Sequence, residues 1–246
     1  MIANDIREAV MNFADEKQAR ILQRFFQTAP GQYAEGDLFL GVRSPRTRSV
    51  VKEAFRLDPA LGYDEVAKLL ADPYHEVRFA GFLYLVERYQ RILKKKQEGG
   101  EELIRFYLAH APQGNNWDLV DCVAPKLLGR WLLLDSVDEA EKWRVMDTLA
   151  ESDNLWLKRI SMVSTWGTLQ GGRFDFTLHY AGYHLHHPHH LMHKAVGWML
   201  REMGKRIDMD LLRHFLEEHA HEMPRTALRY AIEKMGEGER QEWMRR

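Results

Sequence analysis

Cysteine is nearly absent: Cys122 stands alone among 246 residues, so no internal disulfide can form and a reducing compartment is expected. No apolar run approaches the roughly 20 residues that a membrane span needs. The start, Met1-Ile2-Ala3-Asn4-Asp5, has no basic region leading into an apolar stretch, so no signal peptide is expected. These absences predict a soluble, cytoplasmic protein without membrane partners. Charge of one sign is also missing, because 35 Lys and Arg face 36 Asp and Glu, for a formal net charge of -1. Any nucleic-acid partner must then be held by a local basic patch and not by bulk charge. No window sustains an alternation of apolar and polar residues, so no strand is predicted.

What is present is helical. Hydrophobic residues make up 45% and charged residues 29%, enough for a sizeable core. Apolar residues recur at helical spacing through 5–29, and Pro30-Gly31 closes that unit. Ser44 as cap and Pro45 at the first helical position predict a helix to about Leu57. Further helices are expected over 64–70, 75–96 and 101–110, then 137–151 and 154–169. Residues 174–187 are too short, aromatic and histidine-rich to assign. Pro188 opens a helix to Arg206, and helices over 210–220 and 224–235 precede a short tail helix. Helix pairs arriving every 35–45 residues suggest an all-α fold, an α-solenoid of HEAT-like antiparallel helix pairs curved around a concave face, in a single domain 1–246. An ordinary all-α bundle fits the same rhythm. Concave faces of solenoids bind extended partners.

The stretch Asn115-Asn116-Trp117-Asp118-Leu119-Val120-Asp121 stands out. An asparagine cap starts a helix expected to reach about Gly129, with Trp117 and Asp121 four residues apart on one face. Asp118 reads as an acid favoured by the helix dipole. Arg159, just inside another helix start, and Trp198, in His193-Lys194-Ala195-Val196-Gly197-Trp198, also stand apart. Each has an ordinary explanation, as a core tryptophan, a first-turn acid or an ion-pair partner.

Taken together, several blocks resemble the bacterial AlkD-type DNA alkylation repair glycosylases. They are Gly41-Val42-Arg43-Ser44-Pro45, His75-Glu76-Val77-Arg78-Phe79-Ala80, Asn116-Trp117-Asp118-Leu119-Val120-Asp121, His193 to Glu202 and Pro224 to Lys234, in that order across nearly the whole chain. The resemblance implies a HEAT-like solenoid holding duplex DNA on its concave face and removing N3- and N7-alkylated purines. It places the active-site tryptophans on Trp117 and Trp198, the catalytic carboxylate on Asp121 and the DNA-facing arginine on Arg159. It implies no cofactor, and a monomer is expected.

That chemistry suits these residue types. An alkylated purine carries positive charge and leaves as a neutral base, so no acid is needed for the leaving group. One carboxylate can stabilise the oxocarbenium ion and orient water. Two indole faces can attract the cation, about 0.5–2 kcal/mol per contact. Phosphate contacts are expected from Arg159, Arg43, Arg46, Arg48, Lys194, Arg201, Lys205, Arg225 and Arg229. Seven of the twelve histidines fall in 179–193, and His189 and His193 have a metal-ligand spacing, although no metalloprotease glutamate accompanies them. Charging of these histidines below about pH 6.5 is expected to strengthen DNA binding. Two other functions compete with the glycosylase: a non-catalytic scaffold for DNA or protein, and a metal-dependent hydrolase built on the histidines.

Overall fold

The computed structural model describes residues 1–246. All its regular elements are helical, and the only bridge between extended segments pairs Leu38 with Tyr74. The helices group into two compact units, Met1–Val123 and Ala124–Arg246.

In the first unit, α1 (Ala3–Met11), α2 (Glu16–Phe25), α3 (Ser44–Leu57), α4 (Tyr63–Leu70), α5 (His75–Lys95), α6 (Gly100–His110) and α7 (Trp117–Asp121) follow in order. The centre is α5, whose residues His75 to Val86 are all buried. A helix buried on every side belongs in the middle of its unit, and α1, α3, α4 and α6 all pack on it. Three polar side chains, His75, Glu76 and Arg78, lie in its buried first turn, and each has partners. Glu76 accepts the backbone N–H groups of Leu40, Gly41 and Val42 at 2.8–3.0 Å. Gly41 is required there: its φ is +87°, and a Cβ would stand 2.1 Å from the Asp15 carbonyl oxygen.

The second unit holds α8 (Leu128–Trp131), α9 (Glu139–Glu151), α10 (Leu155–Gln170), α11 (Asp175–Tyr183), α12 (His190–Arg206), α13 (Met209–His219), α14 (Arg225–Ala231) and α15 (Glu237–Arg245). Its core is the pair α10 and α12, which contact each other; α8, α9 and α11 pack on α10, and α11, α13 and α14 on α12. Side-chain caps set the starts: Asp138 accepts from Glu141 N–H, and Asn154 from Trp156 and Leu157 N–H.

Two expectations need correction, and one unassigned stretch is resolved. The helix predicted from Trp117 to about Gly129 stops at Asp121 and resumes only at Leu128. Pro125 explains the gap, because it has no N–H and disfavours helical geometry at Ala124 before it. Ser44 is the first residue of α3 and not its cap; Arg43 holds the extended cap conformation and no side chain caps the turn. Residues 174–187, unassigned from sequence, contain α11. The all-α expectation is met.

Candidate functional site

The one-turn α7 places Trp117 and Asp121 at its two ends, both half-buried. Asn116 Oδ1 accepts the Trp117 N–H at 2.9 Å. The Trp117 indole lies against the ring of Phe26, 5.2 Å between centroids at 26°, and meets Phe25 edge-on at 5.9 Å. Phe25 itself is 60% exposed, so the aromatic wall reaches the surface. The stack continues inward, because Phe26 lies on Phe39 and Phe39 on the imidazole of His75 at 4.4 Å.

His75 is the hub. Its Nε2 stands 2.9 Å from Asp118 Oδ2 and its Nδ1 3.0 Å from Asp37 Oδ2. Burial disfavours the imidazolium, but Asp118 and Asp37 outweigh it and raise the pKa to about 9. Burial likewise opposes the Asp37 carboxylate, yet His75 and Arg78 hold its pKa below the ordinary range. Arg78 also donates to Asn115 Oδ1 at 3.0 Å and to the carbonyls of Asp72 and Pro73. Asp118 is therefore more than an acid favoured by the helix dipole: it is one jaw of a clamp on His75. None of these partners was singled out from sequence for such a role. The available signal was a His-Glu-Val-Arg start on an otherwise apolar helix.

Arg48 also reaches the end of α7. Its guanidinium lies 5.4 Å from the Phe79 ring centroid, and Nη2 donates to Cys122 Sγ at 3.2 Å, next to Asp121. Arg43 and Arg46 are exposed on the start of α3; Arg43 donates to Gln18 Oε1, and Arg46 lies over Phe13.

In the second unit, Lys194, Trp198, Arg201 and Lys205 lie on α12 at helical spacing, so they form one stripe. Trp198 and Lys194 are half-buried and Lys205 is exposed. Arg201 ion-pairs with Glu233 and Glu202, which leaves it less available for a phosphate than sequence suggested. Exposed Arg225 and Arg229 sit on α14, which packs on α12; Arg225 donates to the Met244 carbonyl. Arg159 is buried, 4% exposed, and its Nη1 donates to the Leu191 carbonyl, tying α10 to the start of α12.

The histidines of 179–193 are mostly built into structure. Burial pushes His184 down to about 3, with nearby His187 and Lys158 adding to the effect, and its Nε2 lies 2.8 Å from Ser161 Oγ. Burial and neighbouring histidines push His189 down to about 4, and its Nδ1 accepts the Leu191 N–H as the cap of α12. His187 and His190 are lowered too, first by burial. The expected charging of the cluster near pH 6.5 is corrected for these four. His193 Nε2 is 2.6 Å from the His187 carbonyl oxygen, and no group of three His, Cys, Asp or Glu is arranged to hold a metal ion.

The fold is thus that of an all-α protein that carries an indole and a carboxylate at the two ends of one short helix in its first unit and, separately, an indole within a basic stripe in its second. The family described as "DNA alkylation repair enzyme" matches residues 6–235. The chain belongs to that family. Among solved structures, it is similar to one described as "Predicted DNA alkylation repair enzyme from Enterococcus faecalis". The TM-score is 0.71 at 16% identity, covering 91% of this chain and 97% of that one. At that identity the likeness shows the fold. No curated protein sequence matches the chain.

Proposed function

We propose that the chain is a DNA glycosylase that hydrolyses the N-glycosidic bond of cationic N3- and N7-alkylated purines, such as 3-methyladenine and 7-methylguanine, in duplex DNA. The observation that carries this reading is the pairing of Trp117 and Asp121 at the two ends of α7, with the indole backed by Phe26 and edged by exposed Phe25. Membership of a DNA alkylation repair family supplies the polymer and the kind of damage.

The proposed reaction is a hydrolysis. The bond from C1′ to the purine nitrogen breaks and its electron pair passes to the base, cancelling the positive charge. The base leaves neutral, so a protonated acid is not needed. Asp121 stabilises the oxocarbenium ion and accepts a proton from the water that attacks C1′. The products are the free base and an abasic site. Trp117 and Trp198 offer ring faces to the cation; a normal purine is neutral, draws less on those faces and is a poorer leaving group. Arg43, Arg46, Arg48, Lys194, Lys205, Arg225 and Arg229 are assigned to phosphates; buried Arg159 joins them only by giving up the Leu191 carbonyl, and Arg201 only by giving up its glutamate partners. Residues 1–246 are proposed to work as a single HEAT-like domain on duplex DNA, as a cytoplasmic monomer without a cofactor.

The test is release of 7-methylguanine or 3-methyladenine from methylated duplex DNA. Wild type is expected to release base, and Asp121→Asn to lose about a hundredfold or more, as expected when a transition-state charge partner is removed. Absence of release by wild type, or an Asp121→Asn variant as fast as wild type, refutes the proposal. Binding of DNA without release would favour the non-catalytic scaffold.

A further inference from the structure

We propose that His75, held doubly protonated between Asp37 and Asp118, is the positioning residue that sets the orientation of α7 and with it Trp117 and Asp121. The inference rests on the glycosylase reading for its kinetic consequence, but not for its geometry. A helix of one turn cannot hold its own direction in water. α7 spans only Trp117–Asp121, so its direction must be imposed from outside.

Two routes connect His75 to Trp117. One is polar: Nε2 of His75 binds Asp118, the residue that follows Trp117 in the chain. The other is aromatic: the imidazole stacks on Phe39, Phe39 on Phe26, and Phe26 on the Trp117 indole. The two close a ring, so α7 can neither swing nor roll without breaking a hydrogen bond to a charged group or unstacking an aromatic pair. Asp121 rides on the same turn.

The protonation state follows from the partners. Both ring nitrogens face a carboxylate oxygen, at 3.0 and 2.9 Å. A neutral imidazole carries one N–H and one lone pair. Its lone pair would then face an anion in a buried site, whereas the imidazolium donates on both sides. The surrounding charges fit. Arg78 offsets Asp37 from the same helix, and Asp72 is answered by Arg7. Glu76 points to the backbone N–H groups of Leu40, Gly41 and Val42. His75 and Arg78 thus balance Asp37 and Asp118, and loss of the His75 proton leaves an uncompensated buried anion. The device predicts a base-excision rate that falls on the alkaline side as His75 titrates, with DNA affinity retained.

The experiment has two arms. In the first, imidazole ¹⁵N shifts of His75 are followed by NMR in wild-type protein from about pH 6 to about pH 10, together with the indole signal of Trp117. Both nitrogens protonated at neutral pH, and a Trp117 signal that moves as His75 titrates, are expected. One unprotonated nitrogen at neutral pH, or a Trp117 signal indifferent to the titration, overturns the proposal. In the second, single-turnover base release is compared for wild type, His75→Gln and Asp118→Asn. A misplacement of about 1 Å can cost roughly a hundredfold, so each variant is expected to lose about tenfold to a hundredfold in rate at saturating protein. DNA affinity should stay within about twofold, and His75→Gln should lose the alkaline limb of the profile. Asp118→Asn keeps an acceptor for Nε2 and guards against an unfolded His75→Gln protein. Folded variants at wild-type rates overturn the proposal. If wild type releases no base, the glycosylase reading fails, and the NMR arm still decides whether His75 positions α7.

Discussion

Gly197 lies where α12 crosses α14, one residue before Trp198. A Cβ at position 197 would stand 2.2 Å from the Ala227 carbonyl oxygen and 2.6 Å from Tyr230 Cβ. The nearest obstacle is backbone, so no rotamer change relieves it, and the two helices must separate by about 1 Å, the gap between that distance and ordinary contact. Overpacking of a close-packed site costs about 1–3 kcal/mol, and a backbone obstacle places Gly197→Ala at the upper end. Alanine returns about 1 kcal/mol through its better helix propensity. The net destabilisation is about 2 kcal/mol, which lowers Tm by roughly 4–8 °C for a chain of this length. Thermal and urea unfolding followed by circular dichroism measure it. Gly182→Ala, in the last turn of α11, serves as the control, because nothing lies within 4 Å of its added Cβ. That variant is expected to melt at or slightly above wild type. A Gly197→Ala protein as stable as wild type would refute the reasoning, since it would mean that the α12–α14 crossing is not limited by main-chain contact. On the proposed glycosylase reading, base release should fall in the same variant, because Trp198 moves with the shifted helix.

Glu76→Gln should cost about 2–3 kcal/mol in urea unfolding, because an amide has only one accepting oxygen for three buried N–H groups and brings unpaired donors of its own; an unchanged midpoint would show that the loop at Leu40–Val42 does not depend on that carboxylate. Stability should also depend on pH in opposite directions in the two units. His75 is raised in the folded state, so its contribution is complete below about pH 6.5 and is lost as pH rises through about 9. His184 is lowered, so its contribution is complete above about pH 6.5 and is lost as pH falls toward and through about 3. Unfolding midpoints across pH, with His75→Gln flattening the alkaline limb and His184→Asn the acid limb, check the pair; an alkaline limb unaffected by His75→Gln contradicts the assignment.

Much of the fold could be read locally. Helix periodicity and breakers such as Pro30-Gly31 act over a few residues, so most helices lie close to where the sequence puts them. Where the local signals misled, a nearby residue explains it, as Pro125 does for the break after Asp121. The family blocks were legible as blocks, and residues 6–235 match the DNA alkylation repair family. Their internal logic was not. Glu76 meets Gly41 across 35 positions, and His75 meets Asp118 across 43.

By itself, then, the sequence determined an all-α chain, the positions of most of its helices and the residue types on which the proposed function rests, because those depend on spacing and chemical character. Only the tertiary structure decided that His75 is clamped by Asp37 and Asp118, that Arg201 is engaged by glutamates and that His184 and His189 stay neutral. Hydrogen-bond partners, charge states and burial belong to groups brought together from distant parts of the chain, and spacing along the chain carries no record of them.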